Sequence, residues 1–169
     1  MSSLMKIVSG GQTGVDRAAL DVAMSFEIEH GGYCPAGRRA EDGPIPDVYQ
    51  LVETDKRDYA VRTEMNVVHS DGTLILYRTK LSGGTELTSK LARKHNRQCL
   101  AIDLDFLPGS TDENSEEDSV AAIARVSNWI DSENIGVLNV AGPRESSSPG
   151  ITLAAEQFLS LVFEQRASR

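Results

Sequence analysis

KIVSGGQTGVDRAALDVAMSF, residues 6–26, is the stretch that decides the fold. Lys6-Ile7-Val8-Ser9 is a short apolar run that reads as a strand and stops at Gly10-Gly11. Beyond the glycines, Val15, Ala18, Ala19, Val22, Ala23 and Phe26 fall on one helical stripe. The alanines on that stripe allow the helix to lie close against a sheet. A strand that turns through glycines into such a helix is the opening of an alternating β/α chain.

The same alternation continues along the chain. A second strand fits residues 28–33, weakened by Gly31 and Gly32. Residues 35–46 read as a loop rich in Gly, Pro and charge. Residues 59–69 form a helix with Val61, Met65 and Val68 as its apolar face, ended by Gly72. Residues 73–77 are the clearest strand and are read as the central one. A helix over about residues 85–95 turns Leu87, Leu91 and Ala92 inward, and residues 99–102 are a buried-type strand. Residues 108–116 read as a mobile acidic loop. Asn114 with Glu117 marks a helix start ahead of Val120, Ile123, Ser127 and Ile130. Residues 137–140 are the last strand, and Pro149 suits the first turn of a final helix reaching about Gln165. The pattern predicts one Rossmann-like domain over residues 1–169. It is a three-layer α/β/α fold with a mostly parallel central sheet of about five strands and right-handed crossovers.

Composition narrows the function classes. The 169 residues are close to the roughly 150 of one ordinary domain, with 40% hydrophobic and 25% charged residues. No apolar run is long enough to cross a bilayer, and Met1-Ser2-Ser3-Leu4-Met5-Lys6 lacks the regions of a secretory signal, so a cytoplasmic protein with no membrane partner is expected. Cys34 and Cys99 are expected to be reduced, and no Cys or His pair has zinc-like spacing, so no metal site is expected. The net charge of −8 speaks against a nucleic-acid partner. Arg17, Arg38, Arg39 and Arg144 nevertheless sit beside glycine or proline, a pattern suited to holding a small anion locally.

In an open parallel sheet, ligands bind outside the carboxyl ends of the strands. Gly10-Gly11-Gln12-Thr13-Gly14, Ser82-Gly83-Gly84-Thr85 and Ala141-Gly142-Pro143-Arg144-Glu145-Ser146-Ser147-Ser148-Pro149-Gly150 each follow a strand and fall on the same expected rim. Glycine lets backbone N–H groups approach an oxyanion, and a helix N-terminus behind the loop adds partial positive charge. Thr13, Thr85 and Ser146 add hydroxyl donors. The candidate ligand-binding set is therefore Gly10, Gly11, Gln12, Thr13, Gly14, Asp16, Arg17, Arg38, Gly83, Gly84, Thr85, Gly142, Pro143, Arg144, Glu145 and Ser146. The first loop lacks the Lys-Ser/Thr ending of a triphosphatase loop and the spacing of the dinucleotide fingerprint, which excludes a Walker ATPase and disfavours NAD. Ser70-Asp71-Gly72-Thr73 precedes its strand and belongs to the opposite rim. Arg62 and Asn66 share a helical face and are either directed inward or solvated. Cys34 reads as a buried, inert thiol.

Five stretches resemble the family named putative molybdenum carriers: GGQTGVDRAALD at 10–21, GGYCPAGRRAEDGPIP at 31–46, RTEMNVVHSDGTLIL at 62–76, SGGTELT at 82–88 and NVAGPRESSSPGI at 139–151. The resemblance implies a Rossmann-like fold in the superfamily of Lonely-Guy phosphoribohydrolases and DNA-processing protein A. It also implies a carrier of molybdenum cofactor (molybdopterin), anchored by its terminal phosphate, in a homo-oligomer, dimer or tetramer. Enzymatic relatives carry a Pro-Gly-Gly-x-Gly-Thr-x-x-Glu loop; here Ser82-Gly83-Gly84-Thr85-Glu86 is shorter and its glutamate directly follows the threonine. The expected function is binding of molybdenum cofactor, or of a nucleotide or other phosphorylated small molecule. The alternatives are a nucleoside-monophosphate phosphoribohydrolase using Glu86 or Glu145, and a nucleotide sensor.

Overall fold

The structure is a computed structural model that describes residues 4–106 and 115–169, without the side chains of 115–117. The acidic segment and Asn114, read above as loop and helix start, lie outside the described residues apart from the first positions of a helix that begins at Ser115.

Five strands form one sheet: β1 (Lys6–Val8), β2 (Glu29–Gly31), β7 (Gly72–Tyr77), β8 (Gln98–Asp103) and β9 (Val137–Ala141). Every pairing is parallel, in the order β2-β1-β9-β7-β8. The middle strand is therefore β9 and not β7, because the last strand returns to pair with both Lys6–Val8 and Gly72–Ile75. Helix α1 (Val15–Ser25) packs on α5 (Ile151–Ala167), which also meets α4 (Ser115–Ser132). Helices α2 (Tyr59–Val68) and α3 (Gly83–Lys94) pack on each other. The fold is a three-layer α/β/α Rossmann-like sandwich.

The main core joins the α1 stripe of Val15, Ala18, Ala19, Val22 and Ala23 to Leu74, Leu76, Leu138 and Val140 of the sheet and to Ile151, Phe158 and Val162 of α5. Burying a large aliphatic or aromatic side chain stabilises by roughly 1.5–3 kcal/mol, so this cluster dominates the fold's hydrophobic stabilisation. Gly14 and Gly142 make the α1–β9 junction possible. A Cβ on Gly14 would lie 2.2 Å from the Pro143 carbonyl oxygen, and one on Gly142 would lie 2.3 Å from that of Leu76.

The second strand read at 28–33 is divided. Gly32 adopts φ +125, and a Cβ there would fall 2.2 Å from the Ser9 carbonyl oxygen, so the chain bends out of the sheet. Beyond it β3 (Tyr33–Cys34) pairs with β6 (Val52–Glu53), away from the main sheet. The loop read at 35–46 contains an antiparallel hairpin of β4 (Arg39–Ala40) and β5 (Gly43–Pro44). Residues 32–56 thus form an arm. Its base buries Cys34, Ala40, Ile45 and Tyr49 against Leu20 of α1. Among the described residues, no helix is long and apolar enough to cross a membrane.

Candidate functional site

The glycine loops after β1 and β9 and the opening turn of α3, which follows β7, converge on one cleft of about 380 Å³ at the carboxyl ends of these strands. That volume lies in the lower part of the range of small-molecule sites, about 300–1,000 Å³. Gly10, Gln12 and Asp16 contribute from the first loop and α1. Gly83, Gly84 and Thr85 contribute from α3, and Gly142, Pro143 and Arg144 from the last loop. The fourth wall is α2, through Tyr59, Thr63, Arg62 and Asn66.

Arg62 is the centre of this site. Its Nη1 donates to Asp16 Oδ2 at 2.8 Å, with the two side chains 13% and 5% exposed. Its Nε is buried and, among the described residues, has no hydrogen-bond partner. The guanidinium lies where a side chain at position 10 would be: a Cβ on Gly10 would fall 1.4 Å from Nη1. Gly10 is thus required for close approach of an arginine. Tyr59 flanks the group, its ring centroid 5.7 Å from Arg62 Cζ. Asp16 also accepts from the Gln12 backbone N–H at 3.2 Å. Burial pushes the Asp16 carboxyl up from its ordinary value, against the pull of Arg62.

Opposite, Ser82 makes no capping bond to α3. Among the described residues, the Gly83 and Gly84 amides have no acceptor. A Cβ on either glycine would meet nothing within 4 Å, so the helix N-terminus faces open space with free amides. Of the charged side chains lining the cleft, Asp16 is paired with Arg62 and Arg144 with Glu41 at the mouth, which leaves the α3 terminus as the uncompensated positive end.

Other candidates sit elsewhere. Arg17 donates to the Gly11 carbonyl oxygen at 3.1 Å and pairs with Asp42. Arg38 adopts φ +51, and its guanidinium serves the carbonyl oxygens of Ile45, Pro46, Tyr49 and Leu51. Both arginines hold the arm and neither lines the cleft. Gly11 and Gly14 supply turn geometry, with φ +74 and +82. Thr13 and Ser146 direct their hydroxyls to the Glu41 carboxylate.

Neither catalytic candidate reaches the cleft. Glu86 is half exposed and pairs with Lys90 one helical turn on. Glu145 accepts from the Gly150 and Thr152 amides at 2.5 and 3.0 Å and so caps α5. Asp71 accepts from the Gly136 and Val137 amides on the opposite rim, tying β9 to β7 as a turn anchor. Among the described residues, no three His, Cys, Asp or Glu side chains gather where a metal ion could sit.

Sequence reasoning left Arg62 and Asn66 undecided and missed Tyr59, Thr63 and Asn139. Asn66 makes both of its side-chain bonds to the Tyr33 backbone, at 2.8 and 2.9 Å, and so fastens the arm to α2. The spacing 59, 62, 63, 66 places one face of α2 on the cleft, a signal that was present. Asn139 is a lone polar residue inside an apolar strand, tied to Thr73 at 3.2 Å on the cleft floor. Its position in Val137-Leu138-Asn139-Val140 was the other available signal.

Comparison with known proteins agrees with this fold. The crystal structure of a putative molybdenum carrier protein from Syntrophus aciditrophicus SB superposes with a TM-score of 0.86 at 43% sequence identity, over 94% of this chain and 94% of that one. No match is found among curated proteins. The model of the circularly permutated YpsA SLOG family matches residues 7–163. With five parallel strands, glycine loops on one rim and a match over nearly its whole length, the chain belongs to the circularly permutated YpsA SLOG family.

Proposed function

We propose that this protein is a small-molecule binder or carrier whose cleft holds a phosphate-bearing heterocycle, with molybdenum cofactor as the first candidate. The observation that carries the reading is the pairing of two unsatisfied donors in one cleft. These are the Arg62 guanidinium, which lines the cleft and among the described residues hydrogen-bonds only through Nη1 to Asp16, and the uncapped N-terminus of α3. A terminal phosphate accepts from both and gains from the helix dipole, and Arg144 adds a second cation at the mouth. Tyr59, Leu87 and Asn139 would bound the heterocycle. The similarity to a protein named a molybdenum carrier favours a phosphorylated pterin as the heterocycle. The metal would be carried as part of the cofactor, bound through the cofactor's own atoms.

A phosphoribohydrolase needs a carboxylate near the reacting bond. Glu86 and Glu145 are turned to Lys90 and to the start of α5, so binding is the better-supported reading.

The test is retention of ligand. Purified protein is mixed with extracted molybdenum cofactor, desalted and oxidised, and the fluorescence of the retained pterin is measured. The unmodified chain should retain cofactor at micromolar concentration, and Arg62→Ala should weaken retention at least tenfold. Absence of retention at high micromolar concentration refutes the proposal.

A further inference from the structure

At the mouth of the cleft, three hydrogen-bond donors and a guanidinium meet one carboxylate. Glu41 sits at the tip of the β4–β5 hairpin and accepts from the Thr13 hydroxyl, the Ser146 hydroxyl and, at 3.2 Å, the Ser146 amide. Arg144 Nε lies 3.4 Å from its Oε2. A backbone amide, two hydroxyls and a guanidinium around one carboxylate form an anion cradle. It is continuous with the cleft, because Arg144 lines the cleft and touches Glu41.

The attachment of the hairpin tip differs from that of its base. The base is packed through Ile45 and Tyr49. The tip is held by polar contacts: Glu41 in the cradle, its amide on Gln12 Oε1 at 2.9 Å, and Asp42 on Arg17. Such contacts can be exchanged for those of another anion while the apolar base remains in place.

We propose that the cradle of Thr13, Arg144 and Ser146 is a second anion subsite, filled by the chain's own Glu41. The ligand class is then one with two acidic groups in series, as in a diphosphate. One group sits between Arg62 and α3; the other displaces the Glu41 carboxylate and releases the hairpin tip. This rests on the reading of the cleft as an anion site.

Orthophosphate and pyrophosphate distinguish the two subsites by calorimetric titration of the full chain at constant pH and ionic strength. Glu41→Gln keeps the side chain's shape but loses the charge that competes for the cradle. It should tighten pyrophosphate about tenfold and orthophosphate less than twofold. Asp47→Asn removes the same charge from an exposed position on the arm away from its tip, with the cradle still filled, and should leave the ratio of the two affinities unchanged. If orthophosphate binds all three proteins and Glu41→Gln brings no preferential gain for pyrophosphate, the second subsite is refuted while the cleft reading stands. If neither ion binds any of them, both readings fail. Should Glu41→Gln not fold, the unmodified chain decides. Its Ser146 amide resonance should shift with pyrophosphate and stay with orthophosphate; a shift with both or with neither overturns the proposal.

Discussion

Replacing Arg62 by Met strips the guanidinium from the cleft wall while keeping a stem of similar length, and leaves Asp16 as a buried, unpaired carboxylate. Removing one partner of a buried pair costs about 3–5 kcal/mol. Water in the cleft reaches Arg62, 13% exposed, more than Asp16, 5% exposed. The expected loss is therefore at the lower end, about 3 kcal/mol near pH 8. For a chain of this size that is a fall of about 6–12 °C in melting temperature. Its pH dependence has a definite sign. The folded Asp16 carboxyl titrates above its unfolded value because of burial, and loss of Arg62 raises it further. The native state then holds a proton that the unfolded state has released. Stability from this group is fully present below the unfolded pKa, about 3.9, and is lost as pH rises through the folded one. The deficit of Arg62→Met should therefore be small at pH 4 and grow toward pH 8. Asp16→Asn with Arg62→Met removes both charges and should recover most of the loss, because Asn can still accept from the Gln12 amide. Urea unfolding at pH 4, 6 and 8 measures all three proteins. A deficit below 1 kcal/mol at pH 8, or one that does not vary with pH, refutes the reasoning about this pair.

Other substitutions separate folding from binding. Gly84→Ala adds a methyl where nothing lies within 4 Å; melting temperature should hold or rise, since Ala favours a helix over Gly by up to about 1 kcal/mol, while phosphate affinity falls severalfold in titration. Gly142→Ala drives a methyl to 2.3 Å from the Leu76 carbonyl oxygen and should cost about 1–3 kcal/mol in urea unfolding. Glu145→Ala should cost about 1 kcal/mol through loss of the α5 cap. Burial alone would raise the Glu145 carboxyl, but the Thr152 and Gly150 donors outweigh it and hold it low. The cap's contribution is therefore present above the unfolded pKa and lost as pH falls through the folded one, so the mutant's deficit should shrink in acid. A thiol reagent should modify Cys99 in the folded chain and reach buried Cys34 only in denaturant, which counting modified thiols under each condition would check.

The layers and the rim follow from local sequence pattern. The stripe Val15-Ala18-Ala19-Val22-Ala23, the apolar strands and the glycines after them are local patterns of period and backbone freedom. They place three loops at one edge of a parallel sheet whatever lies between. The tertiary structure decided which side chains use that edge. Arg17 and Arg38 look like anion ligands in sequence, but Asp42 and the carbonyl oxygens of residues 45–51 engage them once the arm folds over α1. Thr13 and Ser146 are donors as expected, yet their acceptor is Glu41, brought from a hairpin that the bend at Gly32 directs out of the sheet. Arg62 reaches the centre because Gly10, 52 positions away along the chain, has no side chain to block it. Orientation and pairing depend on contacts between distant segments, and periodicity along one segment carries no information about them.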